Sequence, residues 1–289
     1  MTETKKDFID LTQFNKDELI FLIEDGINKK NMSSKDGMAS VDEDACAKNK
    51  ILATIFEKPS TRTRFSFETA MYQLGGKTIY ANMSDMQLGR GETIDDTAKV
   101  ISRYFDIAML RTNKHSTLEN FAKNASIPVI NGLTDKSHPC QVLADLITVK
   151  EKIGDIENKS YVWFGPANNM LTSWIHAAQI IGFELRICSP KDYSVDNNLV
   201  SGFPNITTDL DPNDAAKDCD CIITDTWFSM GEDDNDQKRK ILEPYRVDAN
   251  KISIASSDAI FLHCLPAHRG EEVDADVIDG VNSVVWDEA

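Results

Sequence analysis

Residues 56–65 read Phe-Glu-Lys-Pro-Ser-Thr-Arg-Thr-Arg-Phe, so the hydroxyls of Ser60, Thr61 and Thr63 and the guanidinium groups of Arg62 and Arg64 crowd into one short stretch. An apolar, β-branched run from Ile51 to Phe56 precedes them, and Pro59 stops it. Beyond them Phe65, Ala70, Met71 and Leu74 recur at about helical spacing until Gly75-Gly76 offers a helix stop. The pattern predicts strand, loop, helix, with Ser60 or Thr61 as the cap. A helix start has free backbone N–H groups and a partial positive charge, which suits a phosphate, and arginine adds planar, bidentate recognition. A Ser or Thr in this place is ordinarily just a cap. The density of donors argues for an anion site.

Other polar residues follow predicted strands in the same way. Arg111 follows Ile107–Leu110, and His138-Pro139-Cys140-Gln141 comes after the strand at Pro128–Asn131. Asn168-Asn169 follows Tyr161–Phe164, and Asp225-Thr226-Trp227-Phe228-Ser229-Met230-Gly231 follows Cys221–Thr224. His263-Cys264-Leu265-Pro266 follows Ala259–Leu262. Singly each has a plain reading: Arg111 a surface charge, His138 a cap ahead of Pro139, Asn168-Asn169 a turn, Trp227 and Met230 packing. Jointly they mark the carboxyl edges of strands, where open parallel sheets bind ligands.

The elements that must position these residues alternate strand and helix throughout. Phe8, Leu11, Phe14, Leu19, Ile20 and Ile23 suggest one or two N-terminal helices, with Asn15 a cap near Glu18. Lys77–Tyr80 reads as a second strand, followed by a polar loop holding Gln87 and then a helix with Ile94, Ala98 and Ile101. Ser116-x-x-Glu119 has the form of a capping box. The rhythm restarts after Gly154–Lys159. The fold class expected is α/β: two doubly wound parallel-sheet domains, 1–152 and 153–289, with the active site in the cleft between them.

Composition narrows the ligand. With 41% hydrophobic and 27% charged residues the chain reads as an ordinary soluble protein, and a net charge of −16 argues against nucleic acid or an anionic membrane as partner. A small anion would need a local basic pocket. The N-terminus has no apolar core of a signal peptide and no window reaches the length of a membrane span, so a cytoplasmic location is expected. The six cysteines lie far apart except Cys219 and Cys221, which predicts reduced thiols. His263, Cys264 and His268 fall close together but lack the spacings of zinc sites, and Pro266 interrupts them, so no metal is expected; the acidic run 232–236 lacks the ligand pattern of a calcium loop.

The motifs Ser60-Thr61-Arg62-Thr63-Arg64, His138-Pro139-Cys140-Gln141, Asp225 to Gly231 and His263-Cys264-Leu265-Pro266 together resemble the aspartate/ornithine carbamoyltransferase family over essentially the whole chain, the last two marking its ornithine branch. The resemblance implies carbamoyl phosphate on the first domain, its phosphate held by Ser60, Thr61, Arg62 and Thr63. Arg111, His138 and Gln141, within a set that includes Pro139 and Cys140, would address its carbonyl and amide. It implies that Gln87 reaches a neighbouring subunit's phosphate site in a homotrimer. Asn169, Asp225, Ser229 and Met230 would hold the α-carboxylate and α-amino group of ornithine, with Cys264 and Leu265 beside the reacting δ-amine and Cys264, Arg111 and His138 as the catalytic groups. The implied reaction yields citrulline and phosphate, in arginine biosynthesis or its reverse, and needs no metal or organic cofactor. The family also continues into a C-terminal helix that returns to the first domain with a further arginine, and residues 1–289 stop short of it. Carbamoyl transfer to putrescine or N-acetylornithine, or binding of carbamoyl phosphate or an amino acid without catalysis, are the alternatives. Asp225 argues against substrates lacking a free α-amino group.

Overall fold

The fold is taken from a computed structural model, which describes residues 5–33, 40–88, 90–228 and 235–289. By their packing the residues fall into two compact units, Met1–Cys140 and Gln141–Ala289.

In the first unit, helix α1 (Lys16–Ser33) precedes strand β1 (Ile51–Phe56), α2 (Thr61–Gln73) and β2 (Lys77–Asn82). Then come α3 (Ile94–Tyr104), β3 (Ile107–Arg111), α4 (His115–Asn124) and β4 (Val129–Leu133). Helix α5 (Pro139–Ile153) carries the chain into the second unit. The four strands pair in the order β2-β1-β3-β4, all parallel. Both faces of this sheet are covered, as near-continuous apolar strands require. Ala53 and Ile55 pack with Ala98, Leu110, Leu118 and Phe121 on one side, while Leu52 and Phe56 pack with Met71 and Met109 on the other.

In the second unit β5 (Ser160–Phe164), α6 (Asn169–Ile181) and β6 (Glu184–Cys188) lead through α7 (Asn197–Val200) to β7 (Ile206–Thr207), a two-residue edge strand too short to carry a sequence pattern. There follow β8 (Cys221–Thr224), α8 (Asp236–Leu242), α9 (Ala249–Ile254), β9 (Ile260–His263), α10 (Ala275–Ile278) and α11 (Val285–Glu288). The sheet runs β7-β6-β5-β8-β9, again all parallel. Val162, Phe164, Ile222 and Phe261 share one core, and Tyr161, Trp174 and Phe183 stack on one another with ring centroids 4.2 to 6.1 Å apart. The two-unit parallel α/β fold expected from the sequence is thus present in both halves.

Local signals fare unevenly. Asn15 and Glu18 form the reciprocal cap of α1, each side chain accepting from the other's backbone N–H at 3.0 Å. Gly182 ends α6 in the left-handed region at φ 94°, where glycine carries no steric cost. The first residues differ from expectation: Leu11–Gln13 is a single 3₁₀ turn capped by Asp10, and Phe8 bridges to Ile130 beside β4. Ser116 and Glu119 do not form a capping box, because α4 already begins at His115, whose N–H is taken by Asp135 Oδ1 at 2.9 Å. A contact twenty residues away in sequence wins over the local motif. None of the six cysteines is in a disulfide, and among the described residues no helix is long and apolar enough to cross a membrane.

Trp174 is fully buried in the aromatic stack. Trp174→Ala should lower stability by about 3–5 kcal/mol, seen as a lower urea midpoint for the second unit; an unchanged midpoint would show that the stack is not a source of stability.

Candidate active site

Each sheet reverses its strand order at one place, between β1 and β3 in the first unit and between β5 and β8 in the second. Those are the points where crossover helices leave to opposite faces and a crevice opens at the carboxyl ends. The candidate residues of each unit gather there.

In the first unit, Ser60 occupies the N-cap position of α2 in extended conformation, but its side chain makes no capping hydrogen bond. Thr61, Arg62 and Thr63 form the first turn, with Thr61 and Arg62 exposed and Thr63 half-buried. Arg64 is engaged elsewhere: its Nε donates to Glu68 at 2.9 Å and its guanidinium lies 4.2 Å from the Tyr80 ring centroid. Arg64 thus bonds along its own helix and against Tyr80, while Arg62 stands in the first turn of α2.

Arg111 is the last residue of β3, 8% exposed, and its Nη1 donates to Thr63 Oγ1 at 2.8 Å. This bond ties the end of β3 to the first turn of α2 at the switch point. The backbone reinforces it. Glu57 N–H donates to Arg111 O, and the Glu57 carboxylate accepts from Asn113 N–H and Nδ2 at 2.6 and 2.7 Å. His138 is buried just ahead of Pro139, the first residue of α5. Burial, with the Arg111 guanidinium nearby, pushes its pKa down to about 3, so the imidazole is neutral and can donate one N–H without adding charge. Cys140 donates through Sγ to Asn131 O at 3.3 Å, and burial pushes its thiol up to about 12, making it structural. Gln87 is exposed in the loop after β2.

In the second unit, the Gly165 backbone turns after β5 at φ 120°, a region open to glycine, and leads to Asn168. Asn168 Oδ1 caps α6 by accepting from Met170 and Leu171 N–H, while its Nδ2 donates to Asp225 Oδ2 at 2.7 Å. Asp225, just past β8 and 9% exposed, also accepts from Thr226 N–H at 2.7 Å and from the Cys264 thiol at 3.1 Å, both at Oδ1. Burial first, and then the Asp225 carboxylate, hold the Cys264 pKa well above the ordinary thiol range. Cys264 is a thiol donor here, which disfavours a resting thiolate. Leu265 follows with φ 55°, a left-handed conformation that costs a leucine roughly 1–3 kcal/mol and marks a site held by its surroundings.

His263 fixes that turn. Its Nδ1 accepts from Leu265 N–H at 2.9 Å, which leaves the proton on Nε2 to donate to Glu272 Oε1 at 3.1 Å. Glu272 is fully buried and accepts from His268 N–H as well, and His263 N–H donates to Glu288 Oε1 at 3.0 Å. Donor atoms of Asp225, His263 and Cys264 lie within 4.8 Å of one another, as do those of His268, Glu271 and Glu272. In the first group all three are already committed to the internal hydrogen bonds just described.

Asn169, named from the sequence, opens the first turn of α6, and the neighbouring Asn168 is the side chain that bonds Asp225. Asn-Asn gives no local cue to which of the two caps. Glu272, nine residues from His263, and Glu288 and Asp145 had no motif to announce them; their proximity is a product of the fold. Ser229 and Met230 lie outside the described residues.

A neutral buried histidine has a measurable consequence. His138 is depressed in the folded protein relative to its usual value of 6.5, so its contribution to stability is complete above pH 6.5 and is lost as pH falls toward 3. Relative to the parent, His138→Gln should lessen the loss of stability on acidification by about 1.4 kcal/mol per pH unit between pH 6.5 and 5. Urea unfolding at the two pH values checks this, and parallel curves for the two proteins would contradict a neutral His138.

Comparison with known proteins bears on these two half-sites. The family model for the aspartate/ornithine carbamoyltransferase carbamoyl-P binding domain matches residues 6–151, and that for the Asp/Orn binding domain matches residues 157–289. The ornithine carbamoyltransferase of Caulobacter vibrioides is 49% identical over 288 residues, covering 98% of this chain and 92% of its own. Among solved structures, ornithine carbamoyltransferase from Pyrococcus furiosus superposes with a TM-score of 0.91 at 42% identity, over 100% of this chain and 93% of that one. The Burkholderia thailandensis ornithine carbamoyltransferase gives 0.87 at 43% identity, over 98% and 92%. With both of its units matched, the chain belongs to the aspartate/ornithine carbamoyltransferase family.

Proposed function

We propose that this protein transfers the carbamoyl group of carbamoyl phosphate to the δ-amine of L-ornithine, giving citrulline and phosphate, a step of arginine biosynthesis. The observation that carries the reading is Asp225, a buried carboxylate fixed by Asn168, Thr226 and Cys264 at the switch point of the second sheet. Two hydrogen bonds orient Oδ1 and one orients Oδ2, and a pre-oriented carboxylate there suits the α-ammonium of an amino acid. The relatives named ornithine carbamoyltransferase support ornithine as that amino acid.

On this reading the phosphate of carbamoyl phosphate takes the N–H groups of the α2 start together with Ser60, Thr61, Arg62 and Thr63. Arg111 and the neutral imidazole of His138 donate to the carbonyl oxygen, and Gln141 takes the carbamoyl NH₂. Donors aimed at that oxygen matter most when it becomes an oxyanion in the tetrahedral intermediate. Arg111 is already held in place by Thr63, so little reorganisation accompanies the step. On the second unit Asn169, Ser229 and Met230 complete the amino acid site, with Leu265 beside the amine.

The amine of ornithine must lose a proton to become a nucleophile. Cys264 can relay it: Sγ receives the proton from the δ-ammonium while the thiol's own proton passes to Asp225 Oδ1, 3.1 Å away. The neutral amine then forms the C–N bond, the tetrahedral intermediate collapses with cleavage of the bond to the phosphate oxygen, and a remaining amine proton leaves with phosphate. His263, through Glu272 and the Leu265 N–H, keeps Cys264 in the geometry for the relay. No step calls for a metal or organic cofactor.

A homotrimer with Gln87 lent to a neighbour's phosphate site fits the exposed position of Gln87. It also accounts for Phe65, Tyr72 and Ile79, each more than half exposed on the first unit, as apolar surface that subunits would cover.

Citrulline formation measured with ornithine, putrescine and N-acetylornithine in parallel tests the assignment; turnover with ornithine alone is expected, and equal rates with putrescine would remove the role given to Asp225. Cys264→Ala should reduce kcat/KM for ornithine by about 10- to 100-fold, the worth of one hydrogen bond to a charged group. Unchanged kinetics would refute the relay.

A further inference from the structure

Asp145 lies one turn beyond Gln141 on α5, and the two side chains meet on the same face of the helix: Gln141 Nε2 donates to Asp145 Oδ1 at 2.9 Å. Asp145 is 2% exposed. Its neighbours on the helix, Val142, Leu146 and Val149, are fully buried hydrophobics, and an apolar side chain at position 145 would extend that face at lower cost than a carboxylate. The surroundings make the cost greater. Burial first and the negative charge of Asp225 push Asp145 up to about 7, and Asp145 in turn helps hold Glu288 well above its ordinary range. An acid kept in such a place is not there for stability.

A glutamine amide has two ends of similar size and opposite chemistry, an acceptor oxygen and a donor NH₂. Carbamoyl phosphate likewise offers an NH₂ that only donates. If Gln141 turned its own NH₂ to the substrate, two donors would meet. We propose that Asp145 is a positioning residue that selects the Gln141 orientation, taking its Nε2–H so that Oε1 is presented to the carbamoyl NH₂. The selection holds in either protonation state of Asp145. As a carboxylate it only accepts; as an acid it carries its proton on Oδ2, because Oδ1 is occupied by the Gln141 N–H, and Oδ1 still accepts. The inference rests on the carbamoyl phosphate reading of Gln141 and adds the residue that makes that reading stereochemically specific.

Steady-state kinetics on the full chain separate this role from a structural one. Inorganic phosphate shares the anion but has no NH₂, so it reports the phosphate half of the site alone. Asp145→Leu, which keeps the branching at Cγ but has no acceptor, is expected to raise KM for carbamoyl phosphate about 10-fold, a hydrogen bond's worth, with inhibition by inorganic phosphate within about 2-fold of the parent. Asp145→Asn, which keeps an acceptor oxygen, should restore KM to within about 3-fold. In a Gln141→Ala background Asp145→Leu should add nothing, since the two act as one unit. The proposal is overturned if Asp145→Leu leaves KM for carbamoyl phosphate unchanged, if phosphate and carbamoyl phosphate affinities fall together, or if the two substitutions add. Should Asp145→Leu not fold, Asp145→Ala carries the same expectations and the same refutations. A parent chain inactive with carbamoyl phosphate would instead sink the transferase reading.

Discussion

A strand covered on both faces cannot carry polar side chains along its length. The nine strands among the described residues are all parallel, and β1, β5, β8 and β9 are buried almost throughout, so chemistry is pushed to their carboxyl ends. That one constraint accounts for where the site residues stand. Ser60, Arg111, Asn168, Asp225 and Cys264 each sit at or within a few residues of a strand end, and in each unit they flank the place where strand order reverses.

The two units then handle charge differently. The first places cationic groups and backbone N–H donors at the start of α2 and the end of β3, keeps His138 neutral by burial and ties Arg111 to Thr63. The second buries acids. Asp225 and Glu272 each accept more than one hydrogen bond, and burial pushes Asp145 and Glu288 toward their protonated forms, helped at Asp145 by the charge of Asp225 and at Glu288 by that of Asp145. Buried carboxylates are costly unless hydrogen-bonded, and the partners here are the Cys264 thiol, the His263 imidazole and nearby amides, although the Oε2 atoms of Glu272 and Glu288 find no hydrogen bond. In a chain with a net charge of −16, Arg62 and Arg111 stand at the strand ends of the first unit, and the buried acids Asp145, Asp225, Glu272 and Glu288 belong to the second.

Much of this was legible in the chain. The alternation of short apolar runs with helical segments is dictated by burial on two faces, and the Ser-Thr-Arg-Thr-Arg, His-Pro-Cys-Gln and His-Cys-Leu-Pro motifs point to their strand ends by adjacency alone. The Asn15–Glu18 cap and the Gly182 stop were legible for the same reason, since a cap is a bond between residues three or four apart.

The rest depended on contacts between residues far apart in sequence. Whether Ser116 or His115 opened α4 was settled by Asp135, and the meeting of Asn168 with Asp225 came from how β8 lies beside β5. Arg64 looked like an anion ligand until Glu68 and Tyr80 claimed it. The sequence by itself determined the two parallel-sheet units, the residues at the strand ends and the family, because each is written in local periodicity or in an unbroken motif. Only the tertiary structure decided that Cys264 is a donor to Asp225, that His263 leans on Glu272, and that Gln141 is turned by Asp145. Burial and the direction of a hydrogen bond depend on what folds in around a side chain, and no spacing along the chain encodes that.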